Sequence, residues 1–282
     1  MAKKTVSLVL GSGGARGLAH VGVIRCLEEK GYEIVSVSGC SMGALIGGFY
    51  AAGRLDAYTQ WLADSDLLDI VKLVDFKGSA GLVSGVELMK KIQTLLGGDR
   101  KIETLNIKYT AVASDVKGEK EIWIARGSLL DAIRASISLP LFFEPYRIHG
   151  RELIDGGVLN PVPIAPTFDD KTDLTIAVNL GAPADPSLER KEAEKPDTLS
   201  EKLLAYLKDI AIPDYFTEQE SMYRIADRSF DAMQGTIARM KLAAYPPDIT
   251  IDIPRNLCGT LEFTRSEEMI AYGYEKCQSM FG

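Results

Sequence analysis

The chain has 282 residues, 46% apolar and 25% charged, enough to bury a full core in one large α/β domain, which is favoured over two small ones. A net charge of −7 without any basic run excludes a general affinity for nucleic acid and gives no attraction to an anionic bilayer. No stretch reaches membrane-spanning length. Four scattered cysteines, Cys26, Cys40, Cys258 and Cys277, lack Cys-x-x-Cys spacing and adjacent histidines, which argues against zinc or a disulfide framework and for a reducing cytoplasm.

Met1 to Leu10 imitates a signal peptide, but its apolar run stops at Gly11 without a cleavage site, so Thr5 to Leu10 reads as a first strand. The glycine loop Gly11-Ser12-Gly13-Gly14-Ala15-Arg16-Gly17 follows, then a helical pattern through Leu18, Val21, Ile24 and Glu28. Dinucleotide-binding folds begin in the same way. Here the fingerprint fails, because a start at Gly11 puts Arg16 at the third glycine position and a start at Ser12 loses the first. The Walker pattern fails too, so a nucleotide-binding protein is the weakest reading. What the loop offers is backbone N–H groups at a helix N-terminus, able to hold an oxyanion. The side chain of Arg16 has three open roles: orienting the loop, attracting a phosphate headgroup, or standing solvated on the helix surface.

A second strand, Glu33 to Ser38, runs into Gly39-Cys40-Ser41-Met42-Gly43, and a helix begins at Ala44. A serine between glycines at a strand-to-helix turn has the outline of a nucleophile elbow. Two glycine-rich turns after consecutive strands would lie side by side at one sheet edge, with an oxyanion hole facing a nucleophile. Cys40 beside Ser41 should point into the core.

Helices are expected around Asp56 to Asp66 and Gly85 to Leu96, joined by a flexible Lys77 to Gly81. Lys108 to Ala113 and Glu121 to Ala125 read as a hairpin, and Gly127 to Ala135 as a helix. Ile137 to Pro145 is rich in apolar residues and carries two prolines. It is either a buried loop or an acyl-binding wall built from Leu139, Leu141, Phe142 and Phe143. A hairpin, Arg147 to Ile154 with His149-Gly150 at its tip, delivers Asp155-Gly156-Gly157 and the rigid Asn160-Pro161-Val162-Pro163. Leu174 to Asn179 is a buried strand. The composition of 181–200 predicts a mobile surface loop. A long helix is expected over Glu201 to Met240, broken at Pro213, with Met222, Ile225, Met233, Ile237 and Met240 as a stripe that usually means core. Ile249 to Ile253 reads as a last strand and Ser266 to Met280 as a last helix. Asp169, Asp170 and Asp173 lack the glycine and bidentate Glu of a calcium loop and read as turn residues, so no metal is expected.

Four of these segments, the glycine loop, the elbow, Arg134-Ala135-Ser136-Ile137-Ser138-Leu139-Pro140 and Asp155-Gly156-Gly157, resemble in order and spacing those of the bacterial patatin-like phospholipases. The resemblance implies a single patatin-like domain over 1–282, a three-layer α/β/α sandwich with a mainly parallel central sheet and its catalytic motifs within 6–180. It implies hydrolysis of lipid acyl esters, from phospholipid or lysophospholipid, through a Ser-Asp dyad without histidine. Ser41 is then the nucleophile, Asp155 its base, and the amides near Gly13, Gly14 and Arg16 the oxyanion hole. The family commonly has glycine where this chain has Ser12. No cofactor is implied, and a lipid substrate allows peripheral membrane contact. The sequence leaves the oligomeric state and the region after Gly181 without assignment.

The histidine count supports the dyad independently. Only His20 and His149 exist, and none follows Asp155 to complete a triad in Ser-acid-His order. The alternative from another class is a lipid- or acyl-binding regulatory protein on the same fold, against which intact Ser41 and Asp155 count.

Overall fold

The computed structural model describes residues 3–65, 69–70, 72–73, 82–188 and 216–281. Eight strands form one sheet: β1 (Thr5–Leu10), β2 (Glu33–Cys40), β3 (Lys108–Asp115), β4 (Lys120–Ile124), β5 (Tyr146–Ile148), β6 (Arg151–Asp155), β7 (Leu174–Ala182) and β8 (Ile249–Pro254). Their order is β5-β6-β3-β2-β1-β7-β8, with β4 paired to β3 outside this path. The pairs among β8, β7, β1, β2 and β3 are parallel, whereas β4, β5 and β6 join antiparallel. The sheet is therefore mixed but mostly parallel.

The helices are α1 (Ala19–Glu29), α2 (Met42–Ala51), α3 (Leu55–Asp64), α4 (Val86–Leu96), α5 (Leu129–Ser136), α6 (Phe216–Ala244) and α7 (Ser266–Phe281). Alternation along β1 shows why they take both faces, since successive strand residues point to opposite sides. Val6, Leu8 and Leu10 join the large core with residues of α1, α2 and α7, while Val9 packs on the other face with Val162, Ile164, Ala177 and Ala238 of α6. This is the expected three-layer α/β/α sandwich. α5 starts at Leu129 because the Ser128 hydroxyl caps it, accepting from the Asp131 amide at 2.9 Å.

One expectation fails. Ile225, Met233 and Met240 are exposed rather than core, and α6 instead buries Gln234, Gly235 and Ala238. The helix packs against β7 through this face, with the Gly181 carbonyl oxygen 3.5 Å from where a Gly235 Cβ would stand, an ordinary contact distance. The side chain of Met222, the break at Pro213, the connection Lys77 to Gly81 and most of the predicted loop 181–200 lie outside the described residues. The three aspartates are turn residues as expected: Lys108 and the Ser7 hydroxyl bind Asp170, and Asp173 accepts from the amide and hydroxyl of Thr5.

Candidate active site

Ser41 stands between β2 and α2 with φ 54° and ψ −125°, a conformation that a non-glycine residue holds only when its surroundings force it. The force comes from close approach on both sides. A Cβ on Gly39 would sit 2.7 Å from the Ala44 nitrogen, and one on Gly43 would sit 2.8 Å from the Gly11 carbonyl oxygen. The Ser41 amide donates to the buried Ser136 hydroxyl at 2.9 Å, which in turn donates to the Val112 carbonyl at 2.6 Å. Cys40 points inward, fully buried, its thiol donating to the Pro161 carbonyl at 3.3 Å and pushed up in pKa chiefly by burial.

Strand register brings Asp155 to the serine. Cys40 pairs with Val112 and Asp155 with Ala113, so β2 and β6 flank consecutive residues of β3, about 10 Å apart, a gap that two side chains can close. The Asp155 amide donates to the Ser138 carbonyl at 2.9 Å. Thus α5 and the turn after it hold both residues, Ser136 through its hydroxyl and Ser138 through its backbone. Asp155 Oδ1 accepts from the Gly157 amide at 2.7 Å, while Oδ2 is buried without a hydrogen bond of full geometry. The Ser41 side chain is close enough to favour the ionised carboxylate, although Oδ2 has no hydrogen-bond partner among the described residues. Burial outweighs it and the Gly157 amide, and lifts the Asp155 pKa from 3.8 to about 6.

The glycine loop lies beside the elbow because Leu10 pairs with Gly39. Its amides divide into two sets. Gly11, Ser12 and Ala15 donate to Val178, Pro161 and Thr260, whereas those of Gly13 and Gly14 have no hydrogen bond among the described residues. Arg16 is at the third position of a 3₁₀ turn, where that turn's own hydrogen-bond ladder begins, which sets its amide apart from those of Gly13 and Gly14. The Arg16 side chain is only 3% exposed and donates to the Cys258 carbonyl at 2.9 Å and to Asp231 at 3.3 Å, so of its three open roles it orients the loop.

The proposed acyl segment is partly packed. Phe142 and Phe143 are half-buried and meet edge to face at 4.8 Å, and Phe143 lies over the buried Arg134 guanidinium at 5.1 Å. Leu139 is half-buried, but Leu141 is 66% exposed with φ 66° and stands out from any enclosed wall. His20 lies behind the glycine loop, its Nε2–H donating to the Gly11 carbonyl at 2.9 Å, and His149 is exposed at its hairpin tip. Sequence reasoning read 160–163 only as a rigid piece and missed that the Pro161 and Pro163 carbonyls accept from Ser12, Ser38 and Cys40 and so tie both loops together. It also gave Ser136 no role, although Ser136 lies in a motif already singled out.

The fold is an α/β sandwich in which Ser41, a buried carboxylate and two loop amides without a hydrogen bond among the described residues lie at the same sheet edge. The chain belongs to the patatin-like phospholipase family, whose model matches residues 8–168, more than half of its length, and the chemistry of that family is lipid hydrolysis. It is 36% identical to an NTE family protein of Mycobacterium tuberculosis over 95% of this chain and 89% of that one. It is 29% identical to a lysophospholipase of Neurospora crassa, covering 96% of this chain but only 18% of the fungal protein. Among solved structures, VipD from Legionella pneumophila superposes with a TM-score of 0.56 at 15% identity, over 99% of this chain and 67% of that one, a likeness of fold.

Proposed function

We propose that the protein is a serine acyl hydrolase that cleaves acyl esters of phospholipid or lysophospholipid through Ser41 and Asp155 and an acyl-enzyme. The observation that carries this reading is the buried, hydrogen-bond-deficient Oδ2 of Asp155, raised in basicity, beside a serine held in a strained elbow. A carboxylate is ordinarily a weak base, and a pKa near 6 lets it stay ionised at neutral pH while accepting a proton more readily. As Ser41 Oγ bonds to the ester carbonyl carbon, its proton passes to Asp155 and the carbonyl oxygen becomes an oxyanion facing the Gly13 and Gly14 amides. Collapse breaks the ester bond, and the departing alkoxide takes the proton from Asp155. Water then attacks the acyl-enzyme, gives a proton to Asp155, and the proton returns to Ser41 Oγ as the fatty acid leaves. The whole chain acts as one domain, with a lipid surface as its site of work and the cytoplasm as its compartment, where four unpaired, buried cysteines stay reduced.

A fluorophosphonate probe and ester turnover test this reading. Ser41→Ala is expected to lose both labelling and turnover while staying folded, and Asp155→Asn to lose most turnover because an amide cannot take the proton. Full activity in the alanine variant would remove Ser41 as nucleophile, and lipid binding without turnover in the wild type would favour a regulatory protein instead.

A further inference from the structure

We propose that the C-terminal part of the chain braces the oxyanion loop, with Asp231 and Gln234 of α6 as positioning residues for the reaction. This rests on Ser41 as the nucleophile and on Gly13 and Gly14 as the oxyanion donors. Both positioning residues lie beyond the stretch 8–168 that the family model matches.

Two adjacent glycines have the greatest backbone freedom of any dipeptide, so a useful pair of amides must be fixed from outside. The fixing contacts stand on either side of Gly13-Gly14. Before them, the Ser12 hydroxyl accepts from Gln234 Nε2 at 3.3 Å. After them, the Ala15 amide donates to the Thr260 carbonyl at 2.9 Å, and the Arg16 guanidinium reaches Cys258 O and Asp231. Gly14 itself, at φ 55°, lies so close to Thr260 that an added Cβ would be 2.8 Å from its Cγ2. Arg16 is buried, and Asp231 is its only carboxylate partner among the described residues; a buried guanidinium that loses such a partner becomes an uncompensated charge, so Asp231 holds Arg16 in place.

The same helix also touches the acid's turn. A Cβ on Gly157 would stand 2.5 Å from Ser12 Oγ and nearer still to Gln234 Nε2, so the Ser12–Gln234 contact closes over the turn that Asp155 caps. Between loop and helix the void lined by Ser12, Arg16, Asp231 and Gln234 is about 10 Å³, close to the room one water needs. The Ser12 hydroxyl is the atom that Gln234 holds.

The test compares full-length wild type with Gln234→Met, Asp231→Asn and, as a control on the exposed side of α6, Arg239→Ala. Each is measured for kcat and KM on a p-nitrophenyl ester and for affinity toward a long-chain alkyl trifluoromethyl ketone and toward an uncleavable ether lysolipid. The ketone adds Ser41 Oγ at its carbonyl carbon, passes the hydroxyl proton to Asp155 and leaves an oxyanion in the loop, so it reads the brace directly. The expected result is a fall in kcat of about 10- to 100-fold for the two α6 variants, with KM within about twofold. Ketone affinity should fall in parallel, with lysolipid affinity and the Arg239→Ala rates unchanged. Unchanged kcat and ketone affinity in folded Gln234→Met overturns the proposal. If Asp231→Asn does not fold, Gln234→Met decides, and misfolding of both counts against the proposal because the contacts are then structural only. Failure of the underlying reading has a separate signature: Ser41→Ala would turn over the ester like the wild type.

Discussion

Two buried side chains near the elbow carry pKa shifts with opposite consequences for stability. Asp155, raised from 3.8 to about 6, binds its proton more tightly folded than unfolded. Its contribution to stability is full below about pH 3.8 and is lost as pH rises through about 6, a change of about 3 kcal/mol. Asp155→Asn is therefore expected to stabilise the protein at pH 8 by up to that amount and to change little at pH 4. Urea midpoints at the two pH values check this, and an equal shift at both would refute it. His20 works the other way: burial lowers it from 6.5 to about 4, so its contribution is present above about 6.5 and lost as pH falls through about 4. The wild type should thus be nearly flat between pH 4 and 6, and the asparagine variant acid-sensitive. Ester turnover, which needs ionised Asp155, should rise with pH through about 6. A histidine-free variant separates this chemistry from a triad. His20 is neutral and engaged with Gly11, and His149 is exposed at a hairpin tip, so His20→Gln with His149→Gln should keep kcat within about tenfold. A loss of the size expected on removal of a general base, about 10²- to 10⁴-fold, in the folded double variant would make a histidine the base.

At the scale of elements, most of the strands and helices were legible in the sequence because local patterns determine them. β1, β2 and α1 follow from a β-branched run, a glycine loop and helical spacing, and each begins or ends within a few residues of expectation. The elbow was legible because its constraint is local too, two glycines that let backbone pass at short range. The stripe on α6 was misread because periodicity locates an apolar face but not which face the rest of the chain covers. The face that β7 covers carries Gln234, Gly235 and Ala238 instead. Ser136, the ties made by Pro161 and Pro163, and Gln234 were illegible as parts of the site, since their partners lie far along the chain and no local spacing encodes them. The segment 137–145 shows both situations in neighbouring residues. Phe143 covers Arg134 and pairs with Val83, so Phe143→Ala is expected to lower the melting temperature and all rates together. Phe142→Ala should instead shift preference among acyl chain lengths, by about 1 to 3 kcal/mol per methylene at most, with short-ester hydrolysis preserved. A chain-length series on both variants checks the distinction, and an equal loss on every substrate by Phe142→Ala would remove it from the acyl site.

For the whole molecule, the ends of the chain close the fold. β1 lies between β2 and β7, so the stretch matched by the family model leaves one edge of its central strand to a segment that comes later. On the helical side α7 packs along α1, which begins immediately after the glycine loop, and the crossing is tight at two glycines. A Cβ on Gly22 would stand 2.5 Å from the Tyr274 nitrogen, and one on Gly273 would stand 2.7 Å from the carbonyl carbon of Ala19 and 2.8 Å from its Cα. In each case the obstacle is backbone, which cannot rotate away. Helix propensity alone says that alanine should improve on glycine by about 1 kcal/mol at any helix interior. At Gly273 overpacking opposes this with a larger loss, about 1 to 3 kcal/mol. Gly235 in α6 is the matched case, also buried and helical, but its nearest neighbour, the Gly181 carbonyl oxygen, is at an ordinary 3.5 Å. Gly235→Ala should therefore raise the urea midpoint, and Gly273→Ala should lower it. Because α1 carries the loop, Gly273→Ala should also lose ester turnover at temperatures where it is still folded. If both substitutions raise the midpoint, α7 does not seat on α1 at this depth, and the glycine loop owes nothing to the end of the chain.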